Sequence, residues 1–260
     1  MRVRLYFSFI LLLLAWRVGA QELFTPPVKS NSAFKAGENL TYQIRYGIIS
    51  AGVANFSLTE EIYNDKVVLR AITFAQTTGL ADKLYEVNDS YESWFDKKTC
   101  LPYKQARSIS EGNYKTNNEV TYNRKNNTVN SKLSGIHGVP AKILDLTSTF
   151  YYLRRVDYSK VKEGAVVAVN MYFSDAIFPC HIVYKGKENI KTKFGEISCI
   201  KLSPVVEVGR MFKSTDDLSI WFTDDENCIP VLVKMDIRVV GAVYLKLIKY
   251  ENTVNPMVLR

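Results

Sequence analysis

The chain has 260 residues, 34 lysines and arginines against 26 acidic residues, and a formal net charge of +8 at pH 7. The basic residues are scattered and alternate with apolar ones, which is typical of the outer face of a sheet and excludes an obvious nucleic-acid-binding surface. Beyond the N-terminal region no segment has the ~18 uninterrupted apolar residues of a membrane span.

The first 20 residues predict a secretory signal peptide. Two arginines precede an apolar run at 5–16, and small residues follow at 18–20. We expect cleavage after Ala20, which leaves an exported mature chain, 21–260, with a formal charge of +5. The apolar run is shorter than the ~20 residues of a spanning helix, so an uncleaved membrane anchor is the weaker alternative.

Alternation of apolar and polar residues dominates the mature chain. In segment 231–239, for example, Val231 and Val233 fall on one face while Lys234 falls on the other, as in a strand with one wet face. Strands are expected at 40–46, 53–63, 66–75, 90–95, 101–110, 114–123, 165–173, 181–191, 196–208, 217–223, 231–239 and 241–250. This pattern predicts an all-β, mainly antiparallel fold, either a curved sheet or an incomplete β-barrel of roughly a dozen strands.

One segment, 145–156, departs from this alternation and predicts a helix. Asp145 is suited to cap it, and apolar residues then recur at three- and four-residue spacing on one face. A shorter helical turn is expected at 79–84. The Asn-rich stretch 113–130 predicts a pair of solvated strands with a loose turn, where disorder is expected.

A near repeat within the chain raises the question of a duplication. WFDKKTCLP at 94–102 and WFTDDENCIP at 221–230 each suggest a strand, a polar turn and a second strand opened by proline. We interpret the echo as one hairpin type used twice. We predict a single β-rich domain over 21–260. Two origins of the repeated hairpin stay open: duplication of two related halves, 34–135 and 160–252, or convergence.

The four cysteines leave two alternatives open. An oxidising compartment permits disulfides, and sequence cannot choose among the three pairings of Cys100, Cys180, Cys199 and Cys228. A Cys100–Cys228 bridge is one hypothesis if the two halves face each other. The alternative is four buried thiols that act as small apolar residues. No CxxC spacing occurs, which argues against a zinc knuckle or a redox pair.

Four blocks resemble a known family. FKAGENLTYQIRYGIISAGVANFSL (34–58), DLTSTFYYLRR (145–155), GEISCIKLSPVVE (195–207) and IWFTDDENCIPVLV (220–233) resemble, in that order, the secreted bacterial family called domain of unknown function 3108. The resemblance implies an exported, periplasmic, β-rich protein and supplies no catalytic residues. A looser likeness to lipoprotein-carrier half-barrels, which hold acyl chains, is an analogy only.

Candidate chemistry is sparse. His137 in a predicted loop and His181 at a predicted strand start lie in no GxSxG or HExxH motif, so both are interpreted as structural. Asp224, Asp225 and Glu226 form the densest acidic cluster, a weak calcium candidate that a charged hairpin turn also explains. No Gly-rich phosphate loop is found, and no cofactor is expected.

These features favour a binding protein over an enzyme. The 16 tyrosines and 13 phenylalanines suit a concave sheet that holds an apolar (lipid) or glycan ligand, although the same rings could simply fill the core. The alternative is an envelope assembly protein that acts through a sheet edge or an apolar patch. A hydrolase that uses two strand-borne carboxylates is the third hypothesis.

Overall fold

The computed structural model describes residues 27–30, 33–206, 212–238 and 241–260, so the predicted signal peptide lies outside the described residues. The strands are β1 (Asn39–Tyr46), β2 (Ile49–Tyr63), β3 (Lys66–Thr77), β4 (Asn88–Phe95), β5 (Pro102–Glu111), β6 (Tyr114–Asn123), β7 (Thr128–Ser131), β8 (Gly135–Gly138), β9 (Val166–Phe173), β10 (Ala176–Thr192), β11 (Gly195–Pro204), β12 (Leu218–Thr223), β13 (Pro230–Ile237) and β14 (Gly241–Glu251). The helices are α1 (Gly79–Leu84), α2 (Leu146–Leu153) and a short 3₁₀ turn at Tyr158–Lys160. In this described part of the chain neither α-helix has the length and apolar content needed to cross a bilayer.

All fourteen strands described above belong to one sheet, in the order β8 to β1 followed by β14 back to β9. The sheet therefore consists of two consecutive meanders, β1–β8 and β9–β14, joined where β1 pairs antiparallel with β14. Every neighbouring pair is antiparallel, and the sheet does not close into a barrel. The predicted fold class is confirmed.

Residue alternation sets the two faces of the sheet. In β4, Tyr91 and Phe95 are buried on the inner face, while Glu92 and Trp94 point outward. Arg70 of β3 lies 4.8 Å from the Trp94 ring centre and donates to Glu92 at 2.6 and 2.9 Å. The period-two pattern thus places charged and amphipathic side chains on the wet face and leaves a mainly apolar inner face.

Helix α2 occupies the inside of the curved sheet. It begins with a capping box, in which Ser148 N donates to Asp145 Oδ1 at 2.6 Å and Asp145 N donates to Ser148 Oγ at 2.9 Å. The Phe150 ring centre lies 4.9 Å from that of Phe56 in the first meander and 6.5 Å from that of Phe222 in the second. The helix therefore fills the space between the meanders.

The structure corrects details of the predicted helix. It ends at Leu153 instead of 156, and it is not buried on one face alone, because Thr147, Ser148 and Thr149 are buried as well as Tyr151 and Leu153. A helix enclosed by a sheet has little wet surface, and small hydroxyl side chains bonded to the helix's own backbone can be buried at its first turn.

One short strand, β8, alters the prediction for 113–138. The Asn-rich region forms β6 and β7 as a pair, and β8 adds a further strand that contains His137, which was expected in a loop. Four-residue strands carry too few residues for an alternating pattern to identify them. His181 likewise lies inside β10 instead of at a strand start, and predicted strand ends at 207–208 and 239 lie outside the described residues.

The turn between β9 and β10 brings the far end of the second meander onto the first. Asn118 Nδ2 of β6 donates to Asp175 Oδ1 at 3.1 Å, and Arg107 Nη1 of β5 donates to Ser174 Oγ at 2.5 Å. The Tyr91 and Phe173 rings also stack, with centres 6.2 Å apart. Side-chain contacts, and not a ladder of backbone hydrogen bonds, thus connect this end of the second meander to β4, β5 and β6.

Candidate functional site

The two echoed hairpins share one geometry. Phe95 pairs with Pro102 across β4 and β5, and Phe222 pairs with Pro230 across β12 and β13. Each pairing follows a register shift at the preceding tryptophan, which indicates a bulge at the same place in both hairpins. The structure therefore has the same hairpin type twice, while its origin by duplication stays a prediction.

An aspartate organises each turn. Asp96 Oδ1 accepts from the backbone N–H of Thr99 at 2.8 Å, and Asp225 Oδ1 accepts from the backbone N–H of Asn227 and of Cys228, both at 3.0 Å. These carboxylates take the place of missing ladder partners where the chain reverses. Cys100 and Cys228 then follow with positive φ angles of 59° and 46°.

The acidic cluster has partners within the protein. Asp225 is committed to the turn, Asp224 forms an ion pair with Lys187 at 2.6 Å, and Glu226 forms one with Lys29 at 3.4 Å. Within the described ranges no group of three or more His, Cys, Asp or Glu side chains is arranged to hold a metal ion. The structure adds no support to the calcium hypothesis, which stays a prediction.

Arg154, at the C-terminal end of α2, connects the segment 33–38 before β1 to the second hairpin. Its guanidinium forms a bidentate ion pair with Glu38, at 2.5 Å (Nη1–Oε1) and 2.8 Å (Nη2–Oε2), and both side chains are fully buried. Nε donates to the Asn227 carbonyl at 3.1 Å, and Nη2 also donates to the Ala33 carbonyl at 2.8 Å. Burial alone would lower the pKa of Arg154, but the Glu38 carboxylate outweighs it, so the pKa is raised and the charge is retained.

Arg155 contacts the first hairpin as Arg154 contacts the second, but its partners are weaker than a carboxylate. Its Nη1 donates to the Lys98 carbonyl and lies 3.7 Å from Cys100 Sγ, and its Nη2 donates to the Lys29 carbonyl at 3.1 Å. Although Arg155 is only 7% exposed, its Nε–H has no hydrogen-bond partner among the described residues. Buried N–H groups are rarely left in this state, so this donor has capacity for a further acceptor.

A cleft of about 160 Å³ opens beside the arginine pair. One wall comes from residues 29, 30 and 33 and the end of α2, and the other comes from the turn of the second hairpin. The lining residues are Lys29, Ser30, Ala33, Arg154, Arg155, Val156, Tyr158, Ser159, Ile200, Asp224, Asp225, Glu226 and Cys228. The first wall carries hydrogen-bond donors and the second carries carboxylates, and the Lys29–Glu226 ion pair connects them.

The four cysteines are buried free thiols in the structure, and their pairing in an oxidising compartment, Cys100–Cys228 included, stays a prediction. Burial raises the pKa of the Cys100 thiol to about 11 and that of Cys180, Cys199 and Cys228 to about 12. A thiol with such a pKa holds little thiolate near neutral pH, so these side chains behave as small apolar residues.

Neither histidine has a catalytic environment. His137 Nε2 lies 2.8 Å from Ser134 Oγ on the exposed edge strand, and His181 is half-buried on β10. Two acids do meet on the inner face, where the Glu111 carboxyl lies against that of Asp89, but each residue is only 1% exposed and neither lines the cleft. That pair has no access for a substrate, and the acids of the cleft are engaged as described above.

The segments 34–58 and 145–155, which build this site, were recognised in the sequence, but Arg154, Arg155 and Glu38 were not predicted as site residues. Glu38 and Arg154 are 116 residues apart, so their pairing depends on the folded sheet. Two consecutive arginines directly after an apolar helical segment were the available signal, since a helix end enclosed by strands has little room for unpaired cations.

Comparisons with known proteins place the chain in a family without assigning an activity. A crystal structure of a beta-barrel-like protein of domain of unknown function DUF1849 from Brucella abortus matches with a TM-score of 0.51 and 10% identity, over 86% of this chain and 98% of that one. That likeness concerns the fold alone. A DUF1329 family protein from Desulfovibrio piger matches with a TM-score of 0.21 and 9% identity, over 83% of this chain and 85% of that one, which is too low to carry an argument.

No curated protein matches the chain. The model of the family described as "Protein of unknown function (DUF3108)" matches residues 41–248, which is well over half of the sequence. The predicted resemblance is confirmed, and the chain belongs to the DUF3108 family.

Proposed function

We propose that this protein is an exported, periplasmic binding protein that holds a hydroxyl-rich ligand, one ring of a glycan, in the cleft beside Arg155. The observation that carries this proposal is that Arg155, whose buried Nε–H has no hydrogen-bond partner among the described residues, lines an open polar cleft. Export rests on the signal-peptide features of residues 1–20 and on the character expected of the family. No catalytic role is assigned to the cleft.

The filled interior argues against the lipid alternative. Phe150 and Tyr151 of α2 occupy the position that an acyl chain would need, with Tyr151 packed between Phe34 and Phe95 at ring-centre distances of 4.9 and 5.2 Å. A long apolar ligand needs a continuous apolar channel, whereas the cleft is about 160 Å³ and bordered by charged side chains.

The chemistry of the cleft fits a sugar better than a simple ion. A sugar hydroxyl both accepts and donates, so one ring can accept from Arg155 on the first wall and donate to Glu226 on the second. A purely anionic ligand would meet the carboxylates of the second wall. The cleft is close in volume to a cavity of about 150 Å³ that holds benzene, so it suits one ring rather than a chain.

Native mass spectrometry of residues 21–260 purified gently from a periplasm tests this function. We expect a reproducible extra mass of saccharide that denaturation releases, and we expect it to be lost in an Arg155→Lys variant, which keeps the charge but removes the Nε–H donor. Arg45→Lys, on the β1–β2 hairpin away from the cleft, is the matched control. A clean apo mass, together with no saccharide binding in titrations, would contradict the proposal.

A second candidate function, envelope assembly through protein contacts, is favoured by one apolar end of the sheet. Ile48 is 90% exposed at the β1–β2 turn, and Leu80 and Leu84 of α1 are exposed beside it, where Thr78 N donates to the Ala51 carbonyl at 3.0 Å. Adjacent exposed apolar side chains are typical of contact surfaces. Crosslinking in cells should recover a protein that Ile48→Ser and Leu84→Ser together release, whereas an unchanged crosslinking pattern would contradict this function.

A further inference from the structure

A pair of acidic side chains lies buried on the inner face of the first meander. Asp89 of β4 and Glu111 at the end of β5 are each 1% exposed, and their carboxyl groups lie against each other. Asp89 Oδ1 also accepts from the backbone N–H of Ser110 at 3.0 Å. The other oxygen, Oδ2, receives no N–H or O–H donor from the described residues.

The surroundings offer Asp89 no compensating cation. No ion pair within the described part of the chain includes it, and the nearby Arg107 instead donates to Ser174. Tyr91 on β4 is the ionisable neighbour of the pair, and it interacts electrostatically with Asp89, Glu111, Arg107 on β5 and Tyr114 on β6. Phe173 packs over Tyr91 from the second meander and adds an apolar cover.

Two buried carboxylates in contact repel each other and lack a proton to form their hydrogen bond. When one carboxyl is protonated, it donates to the other, and the buried pair carries one negative charge instead of two. The proton also supplies the donor that Asp89 Oδ2 does not receive from the described residues. Burial acts in the same direction, because it raises the pKa of Asp89.

We infer that Asp89 and Glu111 share one proton at neutral pH and form a pH-sensitive clasp between β4 and β5. The clasp lies where the loop after α1 meets the β5–β6 hairpin, since Val87 bridges to Glu111 and Gly112 N donates to the Glu86 carbonyl at 2.8 Å. The shared proton belongs to the pair and not to either acid alone.

The sign of the pH effect follows from this arrangement. A carboxyl whose pKa is raised in the folded state binds its proton more tightly there than in the unfolded chain, whose aspartate pKa is about 3.9. The clasp therefore contributes fully below that value, and its contribution is lost as pH rises through the raised pKa of the pair. Deprotonation would loosen the sheet beside α1.

Denaturant unfolding of wild type and Asp89→Asn between pH 5 and pH 8 tests the clasp. The amide of asparagine donates to the Glu111 carboxylate at every pH, so the unfolding midpoint of the variant should rise relative to wild type as pH increases. Glu61→Gln is the control of opposite sign, because hydrogen bonding from Arg70 lowers the pKa of Glu61, and this variant should be destabilised relative to wild type at pH 8.

Infrared spectroscopy distinguishes a shared proton from a merely structural pair. At about pH 8 the wild type should show the C=O stretch of one protonated carboxyl, and Asp89→Asn should lack it. A wild type with no such band, or a difference between the two midpoints that stays constant with pH, would overturn the proposal. If Asp89→Asn fails to fold, Glu111→Gln provides the same test from the other acid.

Discussion

Arg154 and Arg155 are adjacent in sequence but have different partners, and the difference separates fold from function. Arg154 has a bidentate carboxylate and two carbonyl acceptors, so it is satisfied within the protein. Arg155 has two carbonyls and a sulfur near it, and its Nε–H has no acceptor among the described residues. A saturated buried arginine joins segments of the chain, whereas one with a spare donor beside a cleft is suited to bind something else.

The largest expected effect on stability comes from removing the satisfied arginine of this comparison, Arg154. Arg154→Met should lower the free energy of unfolding by about 3–5 kcal/mol, because it leaves the Glu38 carboxylate buried without its cation. The double variant Arg154→Met with Glu38→Met should recover much of this loss, since it removes both buried charges. Urea unfolding of the four members of this cycle measures the coupling; equal losses in the single and double variants would contradict the assignment.

A smaller effect is expected at the N-terminal end of the same helix. Asp145→Ala removes the cap and should cost about 1–2 kcal/mol. Burial raises the pKa of Asp145 to about 6, so the ionised form is disfavoured in the folded state. The electrostatic contribution of Asp145 to the free energy of unfolding should therefore be lost as the pH rises from about 4 to about 6. Asp145→Asn should lack this pH dependence. Unfolding midpoints measured across that range check the expectation, and parallel curves for Asp145→Asn and wild type would contradict it.

The smallest effect on stability is expected at Arg155. Arg155→Lys keeps the cation and should cost about 1 kcal/mol or less, because only hydrogen bonds to carbonyls are exchanged. Ligand affinity should nevertheless fall at least about tenfold, equivalent to ~1.4 kcal/mol. Calorimetric titration beside thermal unfolding separates the two effects. An affinity equal to that of wild type would remove Arg155 from the binding site.

The fold could be predicted from the sequence more completely than the candidate site could. Alternation over eight or more residues, as in β9 and β13, identified strands correctly, because an inner and an outer face impose a period of two. The four residues of β8 gave no such pattern, and β7 was expected only as the second member of a solvated pair. The pairing of Glu38 with Arg154 depends on strands that fold around α2, and no local spacing encodes that distance. Polar residues that meet only in the folded sheet were therefore missed.

The most direct test follows the two arginine Nε–H groups by ¹H–¹⁵N NMR, with Arg155→Lys used for assignment. On addition of mono- and disaccharides at about 10 mM, in the range of weak millimolar binding, we predict that the Arg155 resonance shifts. The Arg154 resonance, held by the Asn227 carbonyl at 3.1 Å, should stay in place. Movement of Arg154 alone, or of neither resonance with any saccharide, would contradict the assignment of one arginine to the fold and the other to the ligand.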